Sequence, residues 1–216
     1  IAKKLDMDIK DLTFEKLTSK EVKNKLGEIT FITATDGNHG RGVAWAANKL
    51  NQKAIVYMPR GSAKERVENI EKEGATVKVL DANYDECVRK ANKLAEKKGY
   101  IMVQDTAWDG YEDIPKWIMQ GYMTLAWEMY ESLQEKNIKP THLFLQAGVG
   151  SFAAATTGFF TNMYKDEGKP IITVVEPDTV ACIYESAIAN ERVLVEGEHE
   201  TIMAGLACGE PNTFGL

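Results

Sequence analysis

The sequence predicts an α/β protein built of parallel sheets with helices on their faces, in two α/β domains of which the larger is incomplete. Three observations predict it. Short apolar runs of strand length alternate with amphipathic or apolar stretches of helical length. Glycine or proline closes several of these segments, as at Gly61, Gly74, Gly99 and Pro177. Two strand ends open into glycine-rich turns that run directly into helices, at residues 35–42 and 148–151.

In order, residues 1–25 read as the tail of one helix and a second short one. Residues 29–34 form a strand and 43–50 a largely buried helix. Residues 54–58 form the next strand, closed by Pro59-Arg60-Gly61. Ala63, Val67 and Ile70 then recur at helical spacing on a charged background, and Gly74 ends that helix. Residues 76–80 are a strand. Cys87, Val88, Ala91, Leu94 and Ala95 line one face of a helix that Gly99 stops, and 100–103 is a fourth strand. This βαβαβαβ order implies a parallel sheet. After a loop at 104–114, residues 115–134 read as a long helix with Pro in its first turn. A strand at 142–147, a turn at 148–151, a helix at 152–164, a strand at 171–175 and a helix at 180–189 follow. Residues 191–216 are less regular. The domains are expected at 26–114 (small) and at 1–25 with 115–216 (part of the large one).

The composition is that of an ordinary globular chain: 44% hydrophobic and 27% charged over 216 residues. The net charge of −6, from 32 acidic and 26 basic residues, argues against a nucleic-acid or anionic-membrane surface as partner. No apolar run approaches a membrane span, and no signal peptide is visible. The three cysteines, Cys87, Cys182 and Cys208, form no close zinc spacing, so no metal site is expected. The simplest reading is reduced thiols in a cytoplasmic protein. Cys182 and Cys208 could pair if the fold brings them together, and Cys87 belongs to a core helix face.

The turn Thr35-Asp36-Gly37-Asn38-His39-Gly40-Arg41-Gly42 combines three polar side chains with three glycines, which allow close ligand approach and positive φ angles. The N–H groups at the start of the following helix favour an anion. In the second turn, Gly148 and Gly150 allow close approach, and the N–H groups from Val149 to Phe152 would face a phosphate. Neither a GxGxxG nor a P-loop is present. The plainer reading of the second turn is a tight strand-to-helix connection with an N-capping Ser151. Together the turns suggest a flat, phosphorylated cofactor.

The succession TDGNHG, MPRGSAKERVENIEKEGA, QAGVGSFAAA and VVEP resembles pyridoxal-phosphate enzymes of the tryptophan-synthase β type, the fold type II group. Three stretches are closer still to the diaminopropionate ammonia-lyases: ATDGNHGRGVAWAA, VQDTAWDGYEDIPKWIMQGYMTLAWE and IMAGLACGEPN. The resemblance covers nearly the whole chain. It implies pyridoxal 5'-phosphate as cofactor, α,β-elimination of 2,3-diaminopropionate to pyruvate and ammonia, and a homodimer with a small amino acid substrate.

By position, the resemblance implies that Asn38 would hydrogen-bond the cofactor's phenolic oxygen, and that Gly148, Val149, Gly150 and Ser151 would hold its phosphate. Asp36 and Asp105 match two acids that would act as bases on opposite α-carbon stereoisomers, since removing an α-proton needs a base while the cofactor ring takes the electrons. Dehydratases of the group commonly carry Ser beside GNHG. The acid Asp36 there is a departure that favours a substrate with a second amine, whose ammonium a carboxylate can hold.

Each residue also has a plainer reading. Asp36 could cap the following helix, and Asp105 could make an Asx-turn. His39 reads as a packed, hydrogen-bonded residue rather than a catalytic one, and His142 and His199 as structural or solvated. Trp108 and Tyr111 are either core aromatics or pocket walls. Glu176, at a strand end, is either near the cofactor or positional, and residues 90–98 are a solvated helix face. The group's Schiff-base lysine would lie just upstream of Ile1, and its partner for the pyridine nitrogen after Leu216. The chain by itself is therefore expected to be an inactive fragment. The alternatives are a serine/threonine dehydratase or β-replacement synthase of the same group, a non-catalytic phosphate- or nucleotide-binding module, and a purely structural fragment.

Overall fold

The structure, a computed structural model, describes residues 1–197 and 200–214; His199 lies outside the described residues. The chain divides into two compact units, the first Ile1–Val103 and the second from Gln104 onward.

The head of the first unit is more broken than the expected pair of helices. It holds α1 (Ala2–Leu5), a 3-10 turn (Ile9–Asp11), α2 (Phe14–Leu17) and α3 (Lys20–Leu26). The breaks have local causes. Asp6 adopts a left-handed φ of 53° and closes α1. The Thr13 and Ser19 hydroxyls accept from the N–H groups of Lys16 and Val22, so each starts a new helix.

A parallel four-stranded sheet follows, with order β3-β2-β1-β4. Its strands are β1 (Thr30–Ala34), β2 (Lys53–Met58), β3 (Thr76–Val79) and β4 (Ile101–Met102). Between them run α4 (Asn38–Lys49), α5 (Lys64–Lys72) and α6 (Tyr84–Lys98). Ile32 pairs with Ile55 on one side and Met102 on the other. β2 is a nearly continuous apolar run from Ala54 to Met58, and β1 sets Phe31, Ile32 and Ala34 among β-branched threonines, as suits strands covered on two faces. Val56, Met58 and Ile70 are at most 1% exposed and pack with Ala44 and Ala47 of α4. Burying each of the larger three is worth about 1.5–3 kcal/mol. Gly99, at φ 68°, ends α6 with a left-handed cap, as its position predicts.

The second unit contains α7 (Asp113–Glu135), β5 (His142–Gln146), α8 (Ser151–Met163), β6 (Ile171–Val175), α9 (Cys182–Ala189) and a 3-10 turn at Ala204–Leu206. β5 and β6 pair in parallel, Leu143 facing Ile172 and Leu145 facing Val174. Leu143 and Leu145 point into a core with Ala126, Phe160 and Tyr164, while Phe144 between them is exposed, the period-two alternation of a strand with one covered face. All three cysteines are buried, and none forms a disulfide among the described residues. Burial pushes the Cys87 thiol up to about 11, in keeping with a core residue.

Candidate active site

The first glycine-rich turn leaves the carboxyl end of β1. Its organiser is Thr35, whose hydroxyl accepts from the N–H groups of Gly37 (2.9 Å) and Gly40 (3.1 Å). This side-chain cap starts α4 at Asn38, five residues earlier than apolar spacing indicates. The glycines are not used for left-handed backbone, since none of Gly37, Gly40 and Gly42 has a φ in that region. Gly40 is instead needed for contact: a Cβ there would stand 2.3 Å from Thr35 Cγ2 and 2.9 Å from Val56 Cγ1.

Asp36 does not cap the helix. Its carboxylate accepts from the Arg66 guanidinium, which also donates to the Asp36 carbonyl at 3.1 Å. The Asp36 side chain is 15% exposed. Burial raises its carboxyl above the ordinary value, and the Arg66 charge and hydrogen bond pull it back down. Asn38 is exposed at the first position of α4, and its amide makes no hydrogen bond among the described residues. His39 Nε2 lies 2.8 Å from the Val103 carbonyl and 3.0 Å from the Thr33 hydroxyl. A carbonyl only accepts, so Nε2 carries the proton and donates it. His39 is thus the packed, hydrogen-bonded residue expected.

In the second unit, Tyr111 folds the loop ahead of α7. Its hydroxyl accepts from the Gln104 N–H at 2.7 Å and donates to the Gln104 carbonyl at 3.3 Å, and its ring stacks on Trp108 at 4.3 Å. The two aromatics therefore build the loop that carries Asp105. The Asp105 carboxylate accepts from Gln104 Nε2 (3.3 Å) and from the Tyr122 hydroxyl (3.5 Å). The Tyr122 phenol is pushed above its ordinary value, first by burial and then by the Asp105 charge. Thr106 Oγ1, next along, is buried with no hydrogen-bond partner among the described residues.

The turn after β5 brings Gly148, Val149, Gly150 and Ser151 to the start of α8. Gly150 adopts a left-handed φ of 92°, and no side chain among the described residues caps the helix. A Cβ on Gly148 would lie 3.2 Å from Cys208 Sγ and 3.4 Å from Leu206 Cα. Ser151 is not an N-cap: its hydroxyl donates to the Asp105 carbonyl at 2.7 Å. The first-turn amides of α8 are left for an external acceptor.

Glu176 caps α9. Its two carboxylate oxygens accept from the N–H groups of Ile183 and Tyr184, each at 2.9 Å. This is the positional reading, with a charge well placed on a helix start. Glu176→Gln keeps one acceptor and turns an NH2 toward the other amide. It should cost about 1–2 kcal/mol, read as a lowered urea midpoint of the full-length protein.

Sequence reasoning missed Thr35, Arg66, Tyr122 and Asn212. Arg66, Tyr122 and Asn212 lie inside the quoted family-like stretches, and Thr35 opens the first turn, but periodicity alone marks none of them.

Parallel sheets whose strands open into strand-to-helix turns define an open parallel α/β protein, and the start of α8 has no side-chain cap among the described residues. Residues 9–216 match the family described as pyridoxal-phosphate dependent enzyme, and the chain belongs to that family. A diaminopropionate ammonia-lyase of Salmonella typhimurium is 55% identical over 215 residues, 98% of this chain and 53% of that protein. One from Escherichia coli K12 is 51% identical over 216 residues, again 53% of its length. The crystal structure of the Escherichia coli diaminopropionate ammonia-lyase in complex with D-serine superposes with a TM-score of 0.89 at 49% identity, covering 99% of this chain and 52% of that one. The chain spans about half the length of the relatives it matches.

Proposed function

We propose that the full-length protein is a pyridoxal-5'-phosphate-dependent ammonia-lyase that converts 2,3-diaminopropionate to pyruvate and ammonia. The observation that carries this reading is Asp36: a largely buried carboxylate at the end of β1, two residues before Asn38, already holding a cationic side chain. A carboxylate that accepts a guanidinium can accept a substrate ammonium in its place.

The residues present fit the cofactor. The uncapped start of α8 leaves first-turn amides to hold a phosphate. Gly148, Val149, Gly150 and Ser151 form that turn, and a Cβ at Gly148 would be tight at 3.2 Å from Cys208 Sγ. The exposed Asn38 amide is free to donate to a ring oxygen. Pyridoxal phosphate, when bound, supplies an electron sink that makes a substrate α-proton removable. Asp36 and Asp105 are the two groups proposed to accept that proton, each from one stereoisomer. Burial raises the Asp36 carboxyl above its ordinary value, which strengthens it as a proton acceptor. The same reading includes a homodimer in the cytoplasm without nucleic-acid or membrane partners; no helix among the described residues is long and apolar enough to cross a membrane.

Asp36→Ser in the full-length protein tests the substrate assignment. The ratio of kcat/KM for 2,3-diaminopropionate to that for serine is expected to fall at least about 100-fold, since the lost contact is a charge-assisted one. An unchanged ratio would count against Asp36 as the reader of the second amine.

A further inference from the structure

We infer that Asn212 is a positioning residue for Asp105: with the Ser151 hydroxyl it clamps the Asp105 main chain and so fixes where that carboxylate stands beside the start of α8. The inference rests on the proposed acid–base role of Asp105.

Asn212 is fully buried. Its Nδ2 donates to the Asp105 carbonyl at 2.9 Å and to Ser151 Oγ at 2.5 Å. Its Oδ1 accepts from the Phe214 N–H at 3.0 Å, and its own N–H donates to the Val149 carbonyl at 2.7 Å. The amide orientation is forced, because the carbonyl of Asp105 can only accept and the N–H of Phe214 can only donate. The Ser151 hydroxyl donates to the same Asp105 carbonyl at 2.7 Å, so it receives the Asn212 hydrogen bond on a lone pair. Every donor and acceptor in this three-residue ring has one consistent assignment.

Two consequences follow. The Ser151 proton is committed to Asp105, so the amides at the start of α8, rather than this hydroxyl, are the donors available to an anion. Asp105 is held from both ends: its carbonyl by Asn212 and Ser151, its carboxylate by Gln104 and Tyr122. Misplacing a base by about 1 Å can cost roughly 100-fold in rate, so a clamp on its main chain bears on chemistry and not on stability alone.

The experiment uses the full-length holoenzyme and both enantiomers of 2,3-diaminopropionate. Asp105→Asn first identifies the enantiomer that depends on Asp105. Asn212→Asp then keeps the acceptor for Phe214 but sets an oxygen against the Asp105 carbonyl; Asn212→Ala serves if that variant does not fold. The expected result is a kcat loss of roughly 10- to 100-fold for the Asp105-dependent enantiomer, less than about threefold for the other, and retained cofactor absorbance. In the full-length protein without cofactor, amide exchange of residues 104–107 should speed up. Parallel loss of both enantiomers, or loss of neither, would overturn the positioning role. If Asp105→Asn itself leaves both rates unchanged, the acid–base reading fails. Amide exchange then decides on the clamp alone: unchanged exchange at 104–107 refutes it.

Discussion

Asp105→Asn in the full-length protein is expected to lower turnover of one enantiomer of 2,3-diaminopropionate by about 100- to 10,000-fold, the usual worth of a positioned general base. Asparagine has the same shape but cannot take a proton. The bonds that Ser151 and Asn212 make go to the Asp105 main-chain carbonyl. They survive the change, so the loop keeps its place and the loss is chemical. Asp36→Asn should lower turnover of the opposite enantiomer by a similar factor, on top of a weaker hold on the second amine that both enantiomers share. Its partner Arg66 is 44% exposed, so the released guanidinium is solvated rather than stranded in the core. Steady-state rates with each enantiomer check both. Equal loss on both enantiomers from either change would show that the acids do not divide the work.

Gly40→Ala is expected to be the most disruptive single methyl in the first turn. The added Cβ would come 2.3 Å from Thr35 Cγ2 and 2.9 Å from Val56 Cγ1. Thr35 cannot retreat freely, because its hydroxyl accepts from both Gly37 and Gly40. Val56 is fully buried in β2. Overpacking and the lost cap together should cost about 3 kcal/mol, seen as a lowered urea midpoint. Gly42→Ala, two residues on in the same helix, meets nothing within 4 Å. It should be neutral or stabilise by up to about 1 kcal/mol through helix propensity. If both substitutions behave alike, close packing is not what requires Gly40.

The fold was legible because its signals are local. The apolar runs of β1 and β2 and the glycine stop at Gly99 each depend on neighbours within a few residues. The 35–42 and 148–151 turns stood out for the same reason. Within them, the parts that depend on distant chain were not readable. His39 finds its acceptor at Val103, 64 residues away, and Asn212 reaches Asp105 across 107. Arg66 meets Asp36 across 30 residues, so the carboxylate placed to cap a helix is drawn to a guanidinium, and the hydroxyl of Thr35 takes the cap. Glu176 is a near miss of the same kind: its residue type and strand-end position were visible, but the helix start that it caps lies seven residues on. The head was misread because caps at Thr13 and Ser19 outweigh its helical composition.

We propose that Asp36 and Asp105 serve an elimination that releases an amine from the β-carbon of 2,3-diaminopropionate. The most direct measurement is product release by the full-length protein with pyridoxal phosphate, supplied separately with each enantiomer. One pyruvate and two ammonia per diamine consumed, from both enantiomers, is the predicted result. Elimination from serine or threonine with the diamine left intact would contradict it.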